Sequence, residues 1–485
     1  MSNLTQEQID QIAKRVIGLI QNQPDNRALS QPYAGTASAA SASLGNGIFP
    51  NIDSAVEAAG RAHLQLMKMS LETRNKIISN IRRRMTENAE TLARKANEET
   101  GLGRVEDKIL KNRLVIEKTP GTEVLKPTAF SGDRGLTLME LAPYGVIGSI
   151  TPVTNPTSSI ICNTIGMVAA GNGVVFNVHP GAKNVSIENI RLLNDAITEA
   201  GGPPNLVTTI LNPTVESAQE LMHHPGVRLL VVTGGSGVVK AAMASGKRAI
   251  CAGPGNPPVV VDESADIDQA AKHIVLGASM DNNIICVDEK EVFVVSKVAD
   301  QLIAALQRHG AVLLSKGQFI QLEREIFSSP LEPRRRAAVN KALIGKDVQV
   351  ILSKIGLKVG KDVRLAVVEL EEDHPLVWTE QMMPVFPVVR VSNADKAIDL
   401  AKEAEHGYGH TAVMHSKNLD NLSRMAKEMN CSIFVKNGPS VAGLGYGGEG
   451  YCSFSIASPT GEGLTNPRSF SRERRCVLVD HFRIV

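Results

Sequence analysis

Between residues 52 and 118 apolar positions return every third or fourth place within a densely charged stretch (SLETRNKIISNIRRRMTENAETLARKANEETG at its centre). That is the period of amphipathic helices, and the Arg82-Arg83-Arg84 run inside it reads as a solvated helix face. The rhythm then changes. Short apolar runs at 145–150 (GVIGSI), 174–178 (VVFNV), 206–211 (LVTTIL) and 229–232 (LLVV) are separated by segments of helix length. Short buried strands alternating with helices predict a parallel sheet joined by right-handed crossovers. A second such half begins near Pro257 (PPVVVD), with helices expected near 267–280 and 298–309 and strands near 291–296 and 385–391. No solenoid repeat is visible.

The first residues follow another pattern. Thr5-Gln6-Glu7-Gln8 reads as a capping box, with Leu4 and Ile9 placed for a hydrophobic staple. Ile9, Ile12, Ala13, Val16, Ile17 and Ile20 form one apolar stripe, while Glu7, Asp10, Lys14 and Arg15 rule out a signal-peptide core. Residues 21–46 are rich in Ala, Ser, Gly, Gln and Asn without any period, the composition of a flexible linker. A short amphipathic helix on such a tether is built to dock into a partner's groove rather than into its own domain.

Composition narrows the class. The 485 residues carry 52 Lys+Arg against 50 Asp+Glu, too even a balance for a nucleic-acid binder. No apolar run approaches the roughly 18 residues of a membrane span. Six cysteines without a CxxC exclude a zinc ribbon or dithiol motif and point to a reducing compartment. The expectation is a soluble, cytoplasmic, multidomain enzyme.

Few motifs carry chemistry on their own. Gly443–Gly448 is formally GxGxxG, but no strand leads into it and no helix follows, so it reads as a glycine loop. Thr233-Gly234-Gly235-Ser236-Gly237 directly follows the LLVV run and opens a helical segment, so its amides are placed for a pyrophosphate; a plain strand–helix turn is the alternative. His406 and His410 are split by Gly407 and Gly409, and His223-His224 lacks an HExxH context, so no metal site is expected. GxSxG and Walker A stretches are missing. Cys162 and Cys431 sit among apolar neighbours as core thiols, and Cys476 lies in a basic strand. Cys286 closes a polar-to-apolar turn (DNNIIC) just before EVFVV, as either a structural thiol or a nucleophile at a strand's lip.

Seven segments in order, TPVTNP (151–156), NVHPGA (177–182), GGPPNLV (201–207), VTGGSG (232–237), AGPGNPPVVVD (252–262), the Cys286 turn and TEQMMPVFPVV (379–389), resemble the aldehyde dehydrogenase superfamily. Within it, AGPGNPPVVVD and NNIICVDEKEVFVV resemble the CoA-acylating branch, and residues 1–20 are similar to encapsulation peptides of bacterial microcompartment enzymes. By this resemblance Cys286 is the nucleophile, which forms a hemithioacetal with the aldehyde. Asn155 is the oxyanion amide beside the Cys286 N–H. Pro152 and Val153 line the cofactor path, and Thr233, Gly234, Gly235 and Ser236 lie near the phosphates. His179 replaces the usual adenosine-ribose lysine. Glu380 holds the nicotinamide ribose, and Met382 replaces the usual phenylalanine. NAD is the implied cofactor and coenzyme A the co-substrate.

The departure with most chemical meaning is a missing carboxylate. The hydrolytic branch has a glutamate that activates water for deacylation; here its place falls on Cys251 or Ala252. A thiol of pKa about 8.5 needs less help than water, so the resemblance implies thiolysis by CoA and an acyl-CoA product from a short-chain aldehyde, propionaldehyde ahead of acetaldehyde. Asp266, Glu289 and His410 are the candidate bases. The alternatives are a hydrolytic dehydrogenase and an inactive microcompartment interaction protein. NAD and CoA, alike in their adenine nucleotides, are expected to compete for one groove. Arg334-Arg335-Arg336 reads as a solvated helix face, with the 3′-phosphate of CoA as the alternative role. Thr157–Ile161 and Ile284–Val287 are expected to line the aldehyde pocket.

The implied fold is α/β: a Rossmann-type NAD/CoA-binding domain (47–126 and 144–255), an α/β catalytic domain (256–445) and a β oligomerisation flap (127–143 and 446–485). The flap pairs a hairpin with a C-terminal strand near 474–485 and makes a homodimer or homotetramer. Residues 1–20 are expected to meet a microcompartment shell or cargo protein, which places the enzyme inside that compartment.

Overall fold

The structure is a computed structural model that describes residues 44–485; the expected N-terminal helix and nearly all of the linker lie outside the described residues. The charged region forms three helices. Asn51 caps Ile52–Leu66, its side chain accepting the Ser54 N–H at 2.9 Å, and Ser70 caps the 30-residue helix Leu71–Thr100 in the same way. That helix ends on Gly101 at φ 64°, a left-handed position that glycine adopts without strain. Val105–Lys118 follows. The arginine run is not a uniformly solvated face: Arg82 is half-buried and donates to the Thr119 carbonyl at 2.5 Å, closing the end of Val105–Lys118, while Arg83 and Arg84 pair with Glu199.

Two parallel sheets carry the chain. With strands numbered along the sequence, the first runs in the order β1 (Ile48–Phe49), β6 (Val207–Ile210), β5 (Gly173–Asn177), β4 (Val146–Ile150), β7 (Val227–Thr233) and β8 (Ala249–Ala252). The second runs β11 (Ala311–Leu313), β12 (Leu365–Leu370), β13 (Val385–Val391), β10 (Glu291–Val295), β9 (Pro258–Val261), β14 (Thr411–His415) and β15 (Ile433–Lys436). Every pairing in both is parallel. Strands β4, β5, β9 and β10 are buried along their whole length, because helices cover both faces, and this is why they read as unbroken apolar runs.

The first sheet reverses direction beside β4. Strands β5 and β6 add on one side and β7 and β8 on the other, so the carboxyl ends of β4 and β7 flank a crevice where open α/β sheets bind ligands. The chain crosses between sheets through Gly253–Pro257. Asn256, almost wholly buried, braces that crossing by donating to the carbonyls of Val377 (3.2 Å) and Ala404 (2.9 Å).

A separate antiparallel sheet joins β2 (Thr128–Gly132), β3 (Gly135–Pro143) and β18 (Ser471–Val479), in register from Ser471 opposite Pro143 to Val479 opposite Gly135. The terminal strand thus begins earlier than its apolar residues suggest, since its exposed positions are charged. Residues 446–470, grouped with the flap on sequence grounds, instead fold back on the first sheet. Cys452 and Phe454 are core residues there, and Thr460 accepts the Cys251 N–H at 3.0 Å. The small sheet β16 (Ile456–Ala457) with β17 (Gly463–Leu464) belongs to this segment.

Arg334-Arg335-Arg336 lies in a turn rather than on a helix, with Arg334 at φ 55°. Pro330 and Pro333 remove the amides a helix would need. Arg334 pairs with Glu372 and Glu403, and Arg336 donates to the Tyr408 hydroxyl.

Candidate active site

A cleft of about 700 Å³ opens at the strand reversal of the first sheet. Pro152, Val153 and Asn155 reach it from the end of β4, His179 from the end of β5, and Thr233, Gly234 and Gly235 from the end of β7. Cys286, Glu380 and Met382 enter from the second sheet. Ser236 does not line it: it is exposed as the first residue of helix Ser236–Met243, and Gly237 takes the place expected for it. Thr157–Ile161 are buried within helix Pro156–Ala169 and leave the wall to Ile284 and Ile285, joined by Leu444 and Phe454.

The phosphate candidate has the geometry an anion needs. Gly235 precedes the helix with no side-chain cap, so the first amides are left for a ligand. A Cβ added at Gly235 or Gly237 would meet no protein atom within 4 Å, so these residues keep the helix start open. A dinucleotide pyrophosphate fits such a cradle. His179 accepts the Gly181 N–H on Nδ1 at 3.0 Å, and burial lowers its pKa, so it meets a ligand as a neutral ring.

Cys286 sits in a turn braced from several sides. Asp281, Asn282 and Asn283 have φ of 45°, 57° and 66°, three left-handed residues in succession, of the two types that tolerate this best after glycine. Asn282 donates to the Gly345 carbonyl and to Asp347, and Asn283 to the carbonyls of Ala278 and Glu289. Burial, with Glu380 and Asp288 beside it, pushes the Cys286 thiol up to about 12, against a smaller downward pull from Lys290. The free thiol is therefore protonated at neutral pH. Burial also raises the carboxyls of Asp288 and Glu291 well above their usual range.

Asn155 is held from behind. Lys111 of helix Val105–Lys118 donates to its Oδ1 at 2.6 Å and also pairs with Asp281, which Lys108 meets at 3.0 Å. Both lysines are 3% exposed and Asp281 is fully buried. Burial opposes ionisation of Asp281, but the two lysines hold its pKa below the usual value. Burial lowers Lys108 to about 8. Sequence reading passed over this group. The available signal was that Lys108, Lys111 and buried Val115 share one helix face.

The three candidate bases separate cleanly. Asp266 is the N-cap of helix Ile267–Ser279, accepting the Gln269 N–H at 3.2 Å. Glu289 accepts both the N–H and the hydroxyl of Ser440, at 2.8 and 2.7 Å, and lies in the core; burial raises it to about 7. His410 is buried and lowered to about 4, chiefly by burial, hence neutral. Its Nδ1 meets Thr411, and its Nε2 has no hydrogen-bond partner among the described residues. It packs on Gly255, where an added Cβ would meet both the His410 ring and the Cys286 carbonyl. Where a water-activating carboxylate is expected, Cys251 and Ala252 are buried in β8, and burial raises the Cys251 thiol to about 11.

Fold and cleft define a nucleotide-dependent enzyme with a cysteine at the reacting end, and comparison with known proteins agrees: the model of the aldehyde dehydrogenase family matches residues 24–457, and the chain belongs to that family. It is 48% identical over 483 residues, 99% of this chain and 100% of the relative, to the acetaldehyde dehydrogenase (acetylating) EutE of Salmonella typhimurium. It is 46% identical over 441 residues, 91% of this chain and 94% of the relative, to the propanal dehydrogenase (CoA-propanoylating) of the same organism. Among solved structures, a propionaldehyde dehydrogenase from the fucose utilisation microcompartment of Clostridium phytofermentans superposes with a TM-score of 0.88 at 47% identity, covering 90% of this chain and 100% of that one. A Rhodopseudomonas palustris propionaldehyde dehydrogenase with bound CoA and an acylated cysteine gives 0.87 at 48% identity, covering 90% and 99%.

Proposed function

We propose that the chain oxidises a short-chain aldehyde, propionaldehyde first and acetaldehyde next, to its acyl-CoA through a thioacyl group on Cys286. The observation that carries this reading is the meeting of Cys286, Asn155 and Glu380 with the Thr233–Gly235 turn in one cleft, where no carboxylate occupies the Cys251 or Ala252 position.

Cys286 gives up its thiol proton and adds through sulfur to the aldehyde carbon. The amide of Asn155 and the Cys286 backbone N–H donate to the alkoxide that develops. The Thr233–Gly235 turn and Glu380 would hold NAD+, which would supply the acceptor for the hydride leaving the aldehyde-derived carbon. Glu380, whose Oε1 accepts the Gly255 N–H at 3.3 Å, stands at the joint between the sheets to hold the nicotinamide ribose, with Met382 behind it. The CoA thiol then attacks the thioester, its proton passes to the departing Cys286 sulfur, and the free thiol is restored. Aldehyde, CoA and NAD+ give acyl-CoA, NADH and a proton. Of the three candidate bases, neutral His410 with its open Nε2 is the one packed against the Cys286 backbone. NAD and CoA take turns in one groove, since both carry an adenine-nucleotide pyrophosphate suited to the uncapped helix start at Gly235.

The edge strands of the flap expose Phe130, Val477 and Val479, surfaces suited to pairing with another copy in a homodimer or homotetramer. Residues 1–20 carry the chain to a microcompartment shell or cargo protein.

The test is NADH formation from propionaldehyde and NAD+ by pure protein, with and without CoA, the product identified by mass spectrometry. Sustained turnover requiring CoA and yielding propionyl-CoA supports the reading. Equal turnover without CoA, yielding propionate, overturns it in favour of hydrolysis.

A further inference from the structure

Lys111 lies outside the cleft, yet its ammonium touches two parts of the machinery at once: Oδ1 of Asn155 at 2.6 Å and the carboxylate of Asp281, five residues before Cys286. An ammonium has three donors and no acceptor, so only the oxygen end of the Asn155 amide can face it. The NH₂ end is thereby turned away. One of its hydrogens meets Thr154 Oγ1 at 3.1 Å, and the other remains for the cleft. A flipped amide would set nitrogen against ammonium in a buried setting, where a donor without an acceptor is heavily penalised.

We propose that Lys111 is a positioning residue for the acylation half-reaction: it fixes which end of Asn155 faces the developing alkoxide, polarises that amide, and ties it to the turn that carries Cys286. This rests on the reading of Asn155 as the oxyanion donor. Polarisation follows from the same contact. A charge-assisted bond to the amide oxygen draws electron density from the nitrogen and makes its remaining N–H a stronger donor. The link through Asp281 sets the distance between amide and sulfur, because the turn and helix Val105–Lys118 share one carboxylate. That carboxylate also accepts the Arg104 N–H at 2.7 Å. Lys108 is the natural control. It shares Asp281 and equal burial but meets only the backbone carbonyl of Thr154, at 3.4 Å, and no side-chain amide.

The experiment is the single-turnover rate of NADH formation by the full chain, with a kcat against KM split for aldehyde. The variants are Lys111→Met, Lys111→Gln, Asn155→Ala, the double variant Lys111→Met/Asn155→Ala, and Lys108→Met. Lys111→Met is expected to slow the step about 100-fold, in the range of losing one oxyanion donor, with aldehyde KM within about twofold. Lys111→Gln keeps an N–H donor and should recover about tenfold of that loss. The double variant should be no slower than Asn155→Ala, since groups acting as a unit are not additive. The proposal is overturned if the two losses multiply, or if Lys108→Met slows the step as much as Lys111→Met. Should Lys111→Met not fold, Lys111→Gln in the same cycle with Asn155→Ala decides by the same saturation or multiplication. Asn155→Ala with an unchanged rate would instead remove the oxyanion reading itself. A large Asn155→Ala loss beside unaffected Lys111 variants removes only the role of Lys111.

Discussion

Lys290 holds Asn283 with one ammonium and two acceptors: its Nζ donates to the Asn283 carbonyl at 2.9 Å and to Oδ1 at 2.6 Å. Both residues are almost completely buried, and Asn283 is the last left-handed residue before the Ile284-Ile285-Cys286 step. A single lysine therefore pins the approach to the nucleophile, and its positive charge also opposes the upward shift of the thiol.

Replacing Lys290 by methionine should lower stability by about 3 kcal/mol or more, because two buried acceptors lose their donor and neighbouring carboxyls lose their counter-charge. Urea denaturation measures the loss. The Cys286 thiol should also rise further, so alkylation by iodoacetamide at pH 9 should slow. An unchanged alkylation rate would remove the electrostatic half of this account.

With its thiol near 12, free Cys286 is mostly protonated throughout the physiological range. Its thiolate fraction, and so its alkylation rate, should climb close to tenfold per pH unit from 7 to 10 without a plateau. Glu380 is a cause of that shift, so Glu380→Gln should alkylate faster at a fixed pH while its KM for NAD rises. A plateau below pH 9 would contradict the burial argument.

Gly235→Val places a branched side chain at an extended position, φ −65° and ψ 168°, where an added Cβ meets nothing within 4 Å. Stability should fall by about 1 kcal/mol or less, the range for changing an N-cap residue. Calorimetry should nevertheless show NAD binding weakened at least tenfold, about 1.4 kcal/mol, because the bulk occupies the pyrophosphate's place. Unaltered binding would move the phosphate site elsewhere.

Gly277 faces Glu289 inside helix Ile267–Ser279, and a Cβ there would overlap both carboxylate oxygens. Gly277→Ala should destabilise by about 1–3 kcal/mol despite alanine's better helix propensity, since overpacking displaces Glu289 from Ser440. A thermal melt with an unchanged or raised midpoint would show that the core yields there at little cost.

The two sheets were legible where strands are buried on both faces, because β4, β5, β9 and β10 leave continuous apolar runs. Strands β14 and β15 (TAVMH and IFVK) were not read: they are short and end in polar residues, so no run stands out. In the cleft, the DNN triplet before Cys286 and the glycines after β7 marked themselves by composition. Ser236 did not separate from its neighbours, since side-chain direction at a helix start depends on the turn. Lys111 escaped for a physical reason as well. A lysine on an amphipathic helix is usually solvated, and only the fold brings Asp281 and Asn155, 170 and 44 residues further along, against it. The three arginines at 334–336 were misread as a helix face although the flanking prolines argued otherwise.

Asn256 has a bearing on traffic through the enzyme. By fastening the Gly253–Pro257 crossing to the carbonyls of Val377 and Ala404, it makes this covalent passage between the sheets a weld rather than a swivel. Domain closure needs a few residues free to absorb a backbone rotation, and this joint has its side chain committed against that. Departure of the reduced nucleotide and arrival of CoA would then proceed as a queue at a standing doorway. The turnover ceiling would be governed by how fast one visitor vacates for the next, not by the swing of a lobe.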